Sequence, residues 1–252
     1  MMKRSNFTMP QYDVSETRTL LITNISEEDQ PQLKEALAEL GDIRETYTIA
    51  GRNILFVIFY DVRAAMQAKA SMNNKQIGQS TIKINYTVSK YEIPKENDIC
   101  DETKNQGTLL LVSRDLQTPL TEKEIVAILG SYGEIKEIRE YKAFQKFVEF
   151  YDTRCAVKAY NDFGERAYKN GTLMLRYLWD MSKKKRWEFV KETDDILEGL
   201  IESTPNNDSG EEVSKIRKIA VVPKDKHYIV KAFDDFIADN IDTISEMIEK
   251  NR

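Results

Sequence analysis

The chain has 252 residues, 41% of them hydrophobic and 31% charged, with a formal net charge of −5. That is enough apolar material for one or two domains with proper cores. The acidic balance excludes a ligand held by the field of the whole molecule, so any nucleic-acid contact must come from local faces. No run approaches the ~18 apolar residues of a membrane span, so no membrane partner is expected, and residues 1–17 read as a flexible tail. The two cysteines, Cys100 and Cys155, fit no metal or disulfide pattern. They point to a reducing compartment, nucleus and/or cytoplasm.

Taken in chain order, Thr19–Thr23 is a short apolar strand, and Glu28–Leu40 carries Leu33, Ala36, Leu37 and Leu40 at helical spacing. Gly41 stands where a left-handed helix terminator belongs. Ile43–Ile49 and Ile54–Phe59 are strands rich in β-branched and aromatic residues. Asp61–Met72 is an alanine-rich helix with Asp61 as its N-cap, and Thr81–Thr87 is a fourth strand with Ile82, Ile84 and Tyr86 on one face. The order then recurs: strand Leu109–Val112, helix Glu122–Tyr132, strands Ile135–Glu140 and Phe144–Phe150, helix Thr153–Phe163, strand Thr172–Tyr177. Local strings repeat with it. Gly41-Asp42-Ile43-Arg44-Glu45 returns as Gly133-Glu134-Ile135-Lys136-Glu137, and Tyr60-Asp61-Val62-Arg63 as Tyr151-Asp152-Thr153-Arg154. One small domain has been used twice.

The expected fold is therefore α+β. It comprises two tandem ferredoxin-like (β-α-β-β-α-β) domains at 18–90 and 107–180, joined by a polar linker at 91–106, with a helical C-terminal extension. In each, both helices lie on one side of the sheet and the other face is left open. Leu20-Leu21-Ile22-Thr23-Asn24-Ile25 resembles the hexamer of an RNA-recognition motif (RRM). Arg52-Asn53-Ile54-Leu55-Phe56-Val57-Ile58-Phe59 resembles its octamer, and Lys146-Phe147-Val148-Glu149-Phe150 the octamer's end in the second copy. The repeated strings, with Pro94-Lys95-Glu96-Asn97, Asn105-Gln106-Gly107-Thr108-Leu109 and Tyr132–Glu140, resemble the first two RRMs of the Mei-two-like family of RNA-binding regulators. The family's third, C-terminal RRM is not recognisable. The resemblance implies a single-stranded RNA-binding regulator of post-transcriptional, meiotic or developmental type.

An RRM sheet binds RNA by stacking unpaired bases on exposed rings. Strand alternation turns Leu21, Thr23, Tyr47, Ile54 and Phe56 outward in the first domain, with Arg52 and Lys83 for phosphate contact. In the second it gives Arg139, Gln145, Phe147 and Arg176, with Leu110 or Leu111 according to register. Two of the usual three rings are replaced in the first domain, by Leu21 and Ile54. The same apolar stripe is what a protein-covered sheet shows, so an interaction scaffold built on degenerate RRM faces is the alternative.

Trp179–Ser203 reads as a helix, with 181–203 as the segment that follows the second domain, packing on the second RRM. Its Lys183-Lys184-Lys185-Arg186 cluster is either a solvated turn or a nuclear-localisation or phosphate-contacting patch. Residues 204–227 form a linker. Residues 228–250 carry an Ile/Phe stripe of helical period that packs on the chain or docks a protein partner. The single histidine, His227, stands alone, and no phosphate loop, nucleophile elbow or metal-ligand set appears. A binding protein rather than an enzyme is expected, without cofactors.

Overall fold

The computed structural model describes residues 16–49, 51–89, 92, 99–179 and 181–202. Residues 1–15 of the expected tail, residues 91 and 93–98 of the first linker, the second linker, His227 and the expected final amphipathic helix lie outside the described residues. Thr17, read from the sequence as part of the tail, is buried, and its hydroxyl donates to the Thr87 carbonyl at 2.6 Å.

The first domain runs β1 Thr19–Thr23, α1 Gln30–Ala38, β2 Ile43–Ile49, β3 Ile54–Phe59, α2 Val62–Met72, a small hairpin of β4 Gln76–Ile77 and β5 Ser80–Thr81, and β6 Lys83–Thr87. Its sheet order is β2-β3-β1-β6. Antiparallel pairing with both helices on one side is the ferredoxin-like plan. Strands rich in β-branched and aromatic residues, with every second side chain turned to the helices, are why it forms; β1 and β3 are buried along their whole length. Leu20, Ile22, Leu55, Val57, Phe59, Ile82 and Ile84 meet Leu33, Leu37, Ala65 and Ala68 of the helices in one core. Asp61 caps α2 by accepting from the Arg63 backbone N–H at 2.8 Å. Gly41 has a different role from the one expected. Helix α1 stops at Ala38, and a Cβ on Gly41 would stand 2.6 Å from the Ala64 Cβ. Close packing against α2, not a left-handed turn, requires glycine there.

The second domain runs β7 Thr108–Arg114, α3 Glu122–Leu129, β8 Ile135–Lys142, β9 Gln145–Phe150, α4 Thr153–Phe163, β10 Glu165–Tyr168 and β11 Gly171–Tyr177. Its order β10-β11-β7-β9-β8 adds an edge strand that periodicity did not reveal. Leu109, Leu111, Val148, Phe150, Leu173 and Leu175 face Ile125, Leu129, Ala156, Ala159 and Phe163. The chain therefore folds as two tandem RRM-type domains.

Helix α5, Lys183–Glu202, starts later than expected. Its opening stretch packs on the first domain rather than the second. Met181 and Phe189 cluster with Val88, beside Tyr86 and Val190, and the Thr193 and Thr87 hydroxyls are 2.6 Å apart. Arg186 is buried and donates to the backbone oxygen of Glu92 and, at 3.1 Å, to that of Met181. The basic cluster is thus not a uniformly solvated patch. No helix among the described residues is long and apolar enough to cross a membrane.

Candidate nucleic-acid interface

Register brings the outward residues of each sheet into one transverse row. In the first domain it reads Tyr47, Phe56, Leu21, Asn85. In the second the equivalent row is Arg139, Phe147, Leu110, Arg176. The pairing settles the choice between Leu110 and Leu111: Leu110 stands opposite Phe147 on the outer face and Leu111 belongs to the core. The flanking positions differ in kind, Tyr and Asn in one domain and two arginines in the other.

The first row is not open. Leu21 is 0% exposed, Ile54 2%, Thr23 4% and Phe56 6%. The expectation of a bare outer face fails here. At the β1–β6 end the physical reason is visible. Glu92 accepts from the Thr19 hydroxyl at 3.3 Å and the Ser89 backbone N–H at 3.2 Å. Thr87, the outward neighbour of Thr19, meets Thr193 of α5. Tyr47 stacks on Phe56 with ring centroids 4.4 Å apart and planes at 10°, so the one retained ring is covered by its neighbour. Arg52 is half-buried and Lys83 exposed, at the ends of the face.

The second face is shaped differently. A cavity of about 420 Å³ opens over it, lined by Leu110, Val112, Ser113, Arg114, Tyr141, Gln145, Phe147, Arg176 and Leu178. Four residues expected from the sequence, Leu110, Gln145, Phe147 and Arg176, therefore converge. Tyr141, Val112 and Arg114 were missed. Tyr141 stacks on Phe147 at 4.9 Å and 30°, and its burial raises its hydroxyl above the usual tyrosine range. Strand alternation continued two residues past Arg139 would have found it. Arg114 and Arg176 are exposed and form no ion pair among the described residues.

Arg139 is differently placed. Its guanidinium lies 3.0 Å from Glu149 and 3.4 Å from Glu137, and Lys136 reaches Glu149 at 2.8 Å. The charge of Arg139 is spent within the sheet, at one end of the row, while Arg114 and Arg176 leave positive charge at the other. Phe147 itself is 1% exposed, so Tyr141 rather than Phe147 presents the accessible ring surface. Among the described residues no cluster of His, Cys, Asp and Glu could hold a metal ion.

No family model matches the chain. Among curated proteins it is 39% identical over 152 residues to Protein MEI2-like 4 of Oryza sativa subsp. japonica, covering 59% of this chain and 14% of that one. It is 36% identical over 157 residues to Protein MEI2-like 5 of Arabidopsis thaliana, covering 60% and 19%. The chain thus spans less than a fifth of the length of these relatives. The solved structure of Sex-lethal RNA recognition domains 1 and 2 from Drosophila melanogaster aligns at 16% identity and TM-score 0.27, covering 64% of this chain and 100% of that one. The strand order of the two sheets shows the ferredoxin-like plan on its own. The resemblance read from the repeated strings is met by relatives that are all MEI2-like proteins, over about three-fifths of the chain.

Proposed function

We propose that the chain is a single-stranded RNA-binding regulator whose principal contact is the sheet face of the second RRM. The cavity over Leu110, Tyr141 and Phe147, with Arg114 and Arg176 at its rim, carries this reading. Its volume is in the range of small-ligand sites and suits a splayed base, with a ring to stack on and guanidinium groups for the adjoining phosphates. The MEI2-like relatives support an RNA-level role; a place in the nucleus and/or cytoplasm, and binding rather than catalysis as the activity, are part of the same proposal. Anisotropy titration of a labelled single-stranded RNA pool tests it. Tyr141→Ala and Arg176→Glu should each weaken binding by about ten-fold, since one stacked base contributes ~1–3 kcal/mol. Lys83→Glu, on the first sheet, should leave it unchanged. Equal affinity for all four proteins would refute the assignment.

The burial of the first sheet's outer row favours a second role for that domain. Its apolar stripe serves as a protein-covered surface, to which α5 contributes at Thr87. A protein partner at the C-terminal amphipathic segment is part of the same reading.

A further inference from the structure

The strings that repeat along the sequence meet one another across the two domains. The segments that follow β3 and β9 run antiparallel through a bridge between Asp61 and Asp152. The Val62 N–H donates to the Tyr151 carbonyl and the Thr153 N–H to the Tyr60 carbonyl, each at 3.1 Å. Around this bridge the side chains are reciprocal. Arg63 grips its own Asp61 through two nitrogens, reaches Glu134 of the other domain at 2.5 Å, and lies 4.1 Å over the Tyr151 ring. Arg154 grips its own Asp152, reaches Asp42 at 2.6 Å, and lies 4.5 Å over the Tyr60 ring.

At the centre sits Arg18, 5% exposed, which donates to the Tyr60 carbonyl at 3.2 Å and to the Phe150 and Tyr151 carbonyls at 2.9 and 3.0 Å. Its counterpart in the second domain is Gly107, where a Cβ would stand 2.7 Å from the Arg18 guanidinium. Residue i meets j and j meets i, the signature of a two-fold, self-complementary contact.

We propose that the junctions after β3 and β9 form one isologous docking surface that holds the two RRMs as a single body independently of the linker. The repeated Tyr-Asp-x-Arg and Gly-acidic strings encode that surface. Exposed ion pairs alone contribute little. Here each arginine is held by a forked bond to its own N-cap aspartate, so its reach to the other domain costs little further side-chain freedom. Stacking on tyrosine and the buried Arg18 bonds add to it. A lysine could not make the same fork. This surface lies apart from the RNA cavity, so the two readings fail separately.

Nitrogen-15 relaxation of the full chain tests the proposal. The wild type should give both domains one common tumbling time. Asp42→Arg with Glu134→Arg places like charges opposite Arg154 and Arg63, at side chains that are 66% and 64% exposed and so leave each fold intact. In that variant the domains should tumble separately, with times shortened to about half, as expected for bodies of roughly half the mass. Amide shifts within each domain should be kept away from the junction. If the shifts do change there, Glu134→Arg alone carries the test, with the same loss of common tumbling expected. Independent tumbling in the wild type, or common tumbling that survives the charge reversal, would overturn the proposal. The second outcome would assign the joining to α5 or the linker instead.

Discussion

Glu92 is the most heavily buried carboxyl in contact with the first sheet's outer face. Burial raises its pKa above the ordinary 4.5, against the opposing pull of Arg186 and Arg18 and of the Ser89 N–H. The sign follows. A carboxyl whose folded pKa is raised favours the neutral acid in the fold. The resulting penalty is absent below the unfolded pKa and grows as pH rises from there through the folded value. Glu92→Gln keeps an oxygen for Thr19 and Ser89 while removing the charge. It should raise the midpoint of thermal unfolding at pH 7, with the gain vanishing near pH 4. A variant less stable than wild type at pH 7, with the difference vanishing near pH 4, would show that the carboxylate is needed charged. Nothing in the sequence marked Glu92, because two of its partners, Thr19 and Arg186, lie 73 and 94 residues away. Most residues of the two outer rows, by contrast, were legible from strand alternation, since period two decides the face; the choice of Leu110 over Leu111 waited on the register, and Asn85 was not named. The burial of these rows was not legible, because it depends on what packs above the sheet.

Among the elements, α3 has the most complete local signal. Thr121 and Glu124 form a reciprocal capping box, as the Thr-x-x-Glu spacing ahead of an apolar run requires. The Lys169 ammonium, with the Thr121 N–H and hydroxyl, holds the Glu124 carboxyl at about 2, below its ordinary 4.5. Its contribution is therefore present above pH 4.5 and is lost as pH falls through about 2. Amide exchange should show the first turn of α3 loosening across that interval ahead of the rest of the domain. Thr121→Ala should cost about 1 kcal/mol at neutral pH. Unchanged protection in acid would remove the box from the account. Elements with clear apolar periodicity were recovered with small shifts at their ends. Strand β10 was not, since Glu165, Arg166 and Ala167 are exposed and only Tyr168 touches the core. The docking of α5 on the first domain was hidden for another reason: an amphipathic face states that it must be covered, not by what.

For the whole molecule, 42 acidic residues outweigh 37 basic ones, and the pairing of Arg139 with Glu149 takes one cation from the second sheet face. If Arg114 and Arg176 make the phosphate contacts, the salt dependence of RNA binding should be shallow. A slope of log K against log salt of about −1 to −2 is expected for two contacts on a single strand. A slope beyond about −4 would mean that a basic surface elsewhere carries the RNA. The duplication was the clearest large-scale feature in the sequence, yet the use of its most repeated strings was not. They read as a local helix end and a local helix start, and only their meeting in space gives them a second purpose.

Arg18 gives that meeting an order in time. Its acceptors Phe150 and Tyr151 lie 132 and 133 residues downstream, so during synthesis the first domain leaves the ribosome before these two carbonyls exist, with the Tyr60 carbonyl already available to the same guanidinium. Closure waits for β9 of the second domain. A chain stalled or truncated before that strand would keep the Arg18 bond to the Tyr60 carbonyl and lack the two to the second domain, leaving that side of the guanidinium to water.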